Sequence, residues 1–237
     1  MGEKTMPKRF YQQASYEKQG RIWQVMLDDK ALRTPARQVL RLPTEKLAML
    51  LAGEWQAQED SIKPDQMPLT KLANVAQDHV APDRGPSAGE LMRFAANDVI
   101  CFRVAQPKRL QELQARKCDP WLDWAEQEFG ARLAVTAELR PPDMPLAALE
   151  NMRNAALKLD AFTLTALLHA VSIVGSAVLG FAMVQNQMDA KTAFDLSRIE
   201  EDWQIKQWGE DDEALLRSRN MLDALCSSYQ FMQAAKC

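Results

Sequence analysis

Four consecutive acids, Glu210, Asp211, Asp212 and Glu213, come directly after Gly209 in the segment WGEDDEA and form the longest carboxylate run in the chain. Paired carboxylates perform general acid-base chemistry when burial drives their pKa values apart. The same spacing has two plainer uses. If Gly209 ends one helix, the acids occupy the first turn of the next, where the macrodipole favours negative charge by about 0.3 to 1 kcal/mol. Glu213 also stands four residues before Arg217, in register for a helical ion pair. Alternatively the acids face a partner together with Trp203 and Trp208, which lie among them and Glu200, Glu201 and Asp202. An aromatic anchor with a charged rim is how protein-protein hot spots are built.

Other routes to chemistry are thin. The chain holds no G-x-S-x-G, no Walker-type glycine loop, no H-E-x-x-H and no dinucleotide-binding glycine fingerprint. Gly175 and Gly180 lack the following lysine of a phosphate loop and suit helix packing better. Cys101, Cys118, Cys226 and Cys237 are scattered with no C-x-x-C pair, and His79 and His169 are the two histidines, so no metal site is expected. Such thiols fit a reducing compartment. His169 on an apolar helix reads as a satisfied core residue. The sequence therefore predicts no catalytic residue, no cofactor and no small-molecule substrate.

The elements that carry these residues are read from periodicity. The first forty residues hold short β-prone runs broken by turn residues: a strand at Ile22 to Leu27, a hairpin turn at Asp28 to Lys30, and Pro35, which restricts its segment to an edge or loop. Nine Lys and Arg against four Asp and Glu between Met1 and Arg41 make this arm basic, while the whole chain is only -3, too weakly charged to imply a nucleic-acid partner. From Thr44, a helix cap, the pattern turns helical. Helices are expected to about Gln58, over Leu69 to Val80, from about Glu90 to Phe102, from Pro107 to Phe129 ended by Gly130, from Leu146 to Leu157, over Ala161 to Val184, over Ala190 to Gln207 and over Asp211 to Met232. APDRGPSAGE reads as a surface loop and hinge, and Leu133 to Val135 as one short strand.

Ala161 to Val184 carries no Asp, Glu, Lys or Arg over a length that could span a bilayer. Its five polar interruptions, Thr163, Thr165, His169, Ser172 and Ser176, the lack of a flanking Trp or Tyr belt and the lack of a basic anchor on its C-terminal side favour a buried central helix instead, with no membrane insertion. Ser172, Ser176 and Gly180 would form a small-residue stripe on it. The tryptophans, Trp55, Trp121, Trp124, Trp203 and Trp208 among them, read first as core. The expected class is α+β: a small antiparallel β unit over 1–43 followed by a larger, mainly α-helical domain over 44–237. With no leader-like segment at the start, the expected compartment is a bacterial cytoplasm.

Several segments, in order and across nearly the whole chain, resemble the alpha-subunit assembly chaperones of F-type ATP synthase. They are RFYQQAS, LDDKALRTPA, LPTEKLAMLLAGEWQAQ, IKPDQMPLTKLAN, NDVICFRVAQP, DPWLDWAEQEFG, GSAVLGFA and LSRIEEDWQIKQWGEDDEA. The resemblance implies a non-enzymatic protein that binds free alpha subunit before beta arrives, in the mitochondrial matrix for eukaryotic relatives. It places the functionally important acid at Glu213, with Glu210, Asp211 and Asp212 beside it, and gives Trp55 a part in folding rather than contact. Cys118 departs from the family's Trp before Asp-Pro and is expected to loosen packing around Trp121.

Overall fold

The computed structural model describes residues 6–138, 140–209 and 211–236. A three-stranded antiparallel sheet of order β1-β2-β3 is built from β1 (Ala14–Gln19), β2 (Ile22–Leu27) and β3 (Lys30–Ala31). Gln19 pairs with Ile22 and Leu27 with Lys30, leaving two-residue turns at Gly20-Arg21 and Asp28-Asp29. Both turns open with positive φ, 64° at Gly20 and 50° at Asp28, as tight hairpins require. Asp28 tolerates this because its carboxylate accepts the Gln12 and Gln13 N–H groups at 3.0 and 2.9 Å. Val25 and Leu27 of β2 are buried against the helices.

The rest of the described chain is carried by ten α-helices: α1 (Glu45–Gln56), α2 (Pro68–Val75), α3 (Gly85–Ala95), α4 (Lys108–Phe129), α5 (Leu146–Lys158), α6 (Ala161–Val174), α7 (Ala177–Val184), α8 (Ala190–Ser197), α9 (Ile199–Trp208) and α10 (Asp212–Ala235). The α+β class expected from the sequence is the one found. Thr44 caps α1 by accepting the Leu47 N–H at 3.2 Å, and Gly130 ends α4 in the left-handed conformation at φ 64°. One continuous cluster of buried side chains runs from Val25, Leu40 and Leu42 on the sheet side through Leu91 and Met152 to Leu164, Leu167, Leu179 and Phe231.

Four sequence expectations need correction. The charge-free run is two helices, because Gly175 turns left-handed at φ 66° and Ser176 restarts the chain by accepting the Leu179 N–H at 3.1 Å. No helix among the described residues is long and apolar enough to cross a membrane. The supposed stripe is therefore not one face: Ser176 is a cap, and Gly180 alone makes the close approach, since a Cβ there would collide with Val171 and lie 2.7 Å from Leu167 of α6. Second, APDRGPSAGE is largely helical, because Pro86 fits the first turn of α3, where no intrahelical N–H is needed. Third, the helix expected over Ala190 to Gln207 divides at Arg198, whose guanidinium meets Glu201 of the next helix at 2.5 Å. Fourth, Leu133 to Val135 is extended without being a strand; Thr136 beside it makes a single parallel bridge to Phe102.

The helix expected up to Phe102 stops at Ala95 for a reason that matters more. Asp98 is wholly buried and accepts N–H groups from Ile100 at 3.2 Å and Val178 at 3.1 Å. It thus starts the 3-10 turn Val99–Cys101 and caps α7 at once, tying the α3–α4 connection to the core. Burial pushes its pKa up to about 6, against the downward pull of hydrogen bonds from Ser176, Val178 and Ile100.

A raised folded-state pKa means the folded protein binds this proton more tightly than the unfolded chain does, so the Asp98 contribution weakens as pH rises from about 4 to about 6. Urea unfolding of wild type and Asp98→Asn across that range should show the wild-type advantage shrinking by up to about 3 kcal/mol. Gly180→Ala should cost about 1 to 3 kcal/mol in the same assay, as Val171 and Leu167 must move.

Candidate partner-binding surface

The acidic run sits at the corner between α9 and α10. Glu200, Glu201 and Asp202 occupy the first turn of α9, where they complement its dipole. Trp203 is half-buried with the Arg109 guanidinium of α4 lying 6.0 Å from its ring centre, which anchors α9 to the body. Trp208 in the last turn is 80% exposed. Gly209 turns the chain at φ 85°, and Asp211 caps α10 by accepting the Ala214 N–H at 2.7 Å. Glu213 accepts from Arg217 at 3.1 Å, and both side chains are in water. Asp212 is exposed and makes no side-chain hydrogen bond among the described residues. Glu210 lies outside the described residues.

Two shallow depressions flank this half of α10. One, of about 410 Å³, runs between α9 and α10, with Trp208, Ile205, Ala214 and Met221 in its walls. The other, of about 400 Å³, is lined by Glu213, Leu216 and Asn220 together with His169 and Ile173 of α6. Leu216 is 59% exposed. Exposed apolar side chains beside solvated acids make an anchor-and-rim composition.

Asp211, Asp212 and Glu213 are exposed and lack the desolvated setting that carboxylate catalysis uses. His169 is not a core residue as expected: its ring reaches the surface, while Nδ1 lies 2.7 Å from the buried Ser228 Oγ, which also bonds the Ala224 carbonyl at 3.0 Å. Partial burial lowers its pKa, leaving it neutral near pH 7. No cluster of metal-ligating side chains occurs among the described residues. Nor is Trp208 core, because α9 carries no buried residue and its last turn projects past the body.

A family model described as ATP12 chaperone protein matches residues 8–126, half of the chain. The crystal structure of Atp12 from Paracoccus denitrificans superposes with a TM-score of 0.91 at 39% identity, covering 97% of this chain and 99% of that one. The chain belongs to the ATP12 chaperone family. A structure of an Asp-to-Lys mutant of the Paracoccus protein superposes equally well, with a TM-score of 0.91. The mitochondrial protein atp12 of Schizosaccharomyces pombe is 24% identical over 87% of this chain and 75% of its own length. The Atu1473 protein of Agrobacterium tumefaciens shares 33% identity at a TM-score of 0.91, covering 98% of this chain and 87% of that one.

In this ATP12 family member the other motif segments are engaged with one another. Arg9 donates to the Tyr11 and Gln12 carbonyls at 3.0 and 2.7 Å and to the Gln58 carbonyl, placing a cation at the end of α1. The Tyr11 hydroxyl donates to the Trp55 carbonyl at 2.5 Å, and the two rings meet edge-on at 5.7 Å. Glu54 caps α2 by accepting the Leu69 and Thr70 N–H groups at 2.7 and 2.8 Å. Arg103, nearly buried, meets Asp119 at 2.5 Å and so joins NDVICFRVAQP to DPWLDWAEQEFG. Sequence reasoning passed over Arg9, Glu54, Asp98 and Arg103; for Asp98 and Arg103 a lone charge beside the apolar run VICF was the signal available. Cys118 is buried with its thiol pKa pushed up to about 11, and Trp121 makes an edge-on contact with Trp124 at 6.2 Å.

These placements separate the tryptophans energetically. Trp208→Ala should change unfolding free energy by less than about 0.5 kcal/mol, whereas Trp55→Ala should remove at least about 2 kcal/mol, both read from urea midpoints.

Proposed function

We propose that this protein is an F-type ATP synthase assembly chaperone that holds the free alpha subunit on its α9–α10 corner until beta takes its place. The observation that carries the reading is the contrast between motif segments. Arg9 of RFYQQAS, Glu54 and Gln58 of EWQAQ, and Asp98 and Arg103 of NDVICFRVAQP are bonded within the fold, the last to Asp119 of DPWLDWAEQEFG, while the segment from Trp203 to Glu213 presents Trp208, Asp211, Asp212 and Glu213 to solvent. A surface segment with no internal role of comparable weight is where partner contact belongs.

An isolated alpha subunit exposes the partly apolar face that beta covers in the assembled head, and such faces aggregate. Trp208 and Leu216 supply apolar contact area, and Asp211, Asp212 and Glu213 supply a charged rim that orients the client. Contacts of this kind give a specific and reversible complex. Beta then displaces the chaperone by competition, and no nucleotide-driven step is required of this chain.

Glu213→Lys should abolish protection of alpha against aggregation, read by light scattering of alpha diluted from denaturant. Its urea midpoint should stay within about 0.5 kcal/mol of wild type, because the exposed pair with Arg217 is weak. Undiminished protection, or a collapse of the circular-dichroism spectrum, would move the function away from this corner.

A further inference from the structure

A second surface is built from entirely different elements. Between β3, the segment after it and the end of α1 lies a groove of about 550 Å³. Its apolar walls are Phe10, Leu27 and Leu32, and Phe10 is 69% exposed. Lys30 and Arg33 stand at its edge in water. Neither has a carboxylate partner among the described residues. Arg33 is held in place by donating one N–H to the Arg37 carbonyl at 2.8 Å, which leaves its other donors free. The nearby Asp28 carboxylate is already engaged by Gln12 and Gln13.

Trp55 forms the remaining wall. The two unpaired cations and the open apolar floor call for the same kind of occupant, one with negative charge and an apolar side chain.

We propose that this groove binds an acidic segment of a protein partner. Carboxylates of the segment meet Lys30 and Arg33, and one of its apolar side chains packs on Phe10, Leu27 and Leu32 beside Trp55. The excess of basic residues between Lys8 and Arg41 draws an acidic segment toward this end of the molecule. A concave site suits a peptide better than a flat anionic membrane. The inference uses no residue of the α9–α10 corner and stands whatever the client there proves to be.

The test is NMR on the full chain labelled with nitrogen-15, whose six indole N–H signals report the six tryptophans, with Trp55 assigned by its loss in Trp55→Phe. The probe is the blocked peptide Glu-Phe-Glu-Leu-Glu, with Lys-Phe-Lys-Leu-Lys and phosphatidylserine vesicles as alternatives. The Trp55 signal, from a residue lining the groove, should shift and saturate with the acidic peptide, reaching half-saturation below about 1 mM. The Lys30→Glu/Arg33→Glu double variant, with its other indole signals in place, should weaken binding at least about tenfold. A stationary Trp55 signal, an equal response to the lysine peptide, or undiminished binding by the double variant would overturn the proposal. A response to vesicles instead would make the surface a membrane contact and overturn it equally.

Discussion

Twenty-four residues from Ala161 to Val184 without a charged side chain must be removed from water, and most of the helical body is arranged to do so. Splitting the run at Gly175-Ser176 turns one long apolar cylinder into two short ones that pack on each other through Gly180. Ser228 of α10 and Val80, at the end of the π turn Ala76–Val80 that continues α2, are among the buried residues that close over them. α10 contributes Leu225, Phe231 and Met232 to the same core, and its C-terminal carbonyl at Ala234 accepts the Thr44 hydroxyl at the head of α1. The last helix is thereby locked to the first.

That lock has a consequence for α10 itself. Its second half is core and its first half projects, with buried positions confined to Leu225 and beyond. A helix anchored at one end can carry exposed side chains at the other at little cost to stability, since surface substitutions are usually small in effect. The same division appears at the level of motifs. Arg9, Glu54, Asp98 and Arg103 are each used to close a helix end or pin a loop, so they are tied to the fold, whereas Asp212 and Trp208 are tied to nothing inside the molecule.

The sequence was most legible where local chemistry decides. The Thr44 cap, the Gly130 and Gly209 stops, the turn at Asp28 and the β2 strand are all set by neighbours within a few residues. It was least legible where a distant group decides. Nothing within the run around Asp98 announces that its carboxylate serves the N-terminus of α7 some eighty residues later, and without that link the helix was extended to Phe102. The break at Gly175 was hidden because uniform hydrophobicity erases the periodic signal that marks a helix end. The corner acids were readable as a capped first turn, and Asp211 and the Glu213–Arg217 pair are placed so. The exposure of Trp208 was not, because an aromatic in an amphipathic helix is more often core, and only the projection of α9 past the body reverses that.

An exposed tryptophan is open to self-association, and the charge around Trp208 bears on that. Asp211, Asp212 and Glu213 come just after it in sequence, so a second copy bringing the same corner would bring like charge against like. Such juxtaposition is costly across an interface, whereas a client with cationic residues there gains from it. In the proposed complex the acids select the partner as much as they bind it: Trp208 supplies apolar contact area, and its acidic setting decides which surface can use it.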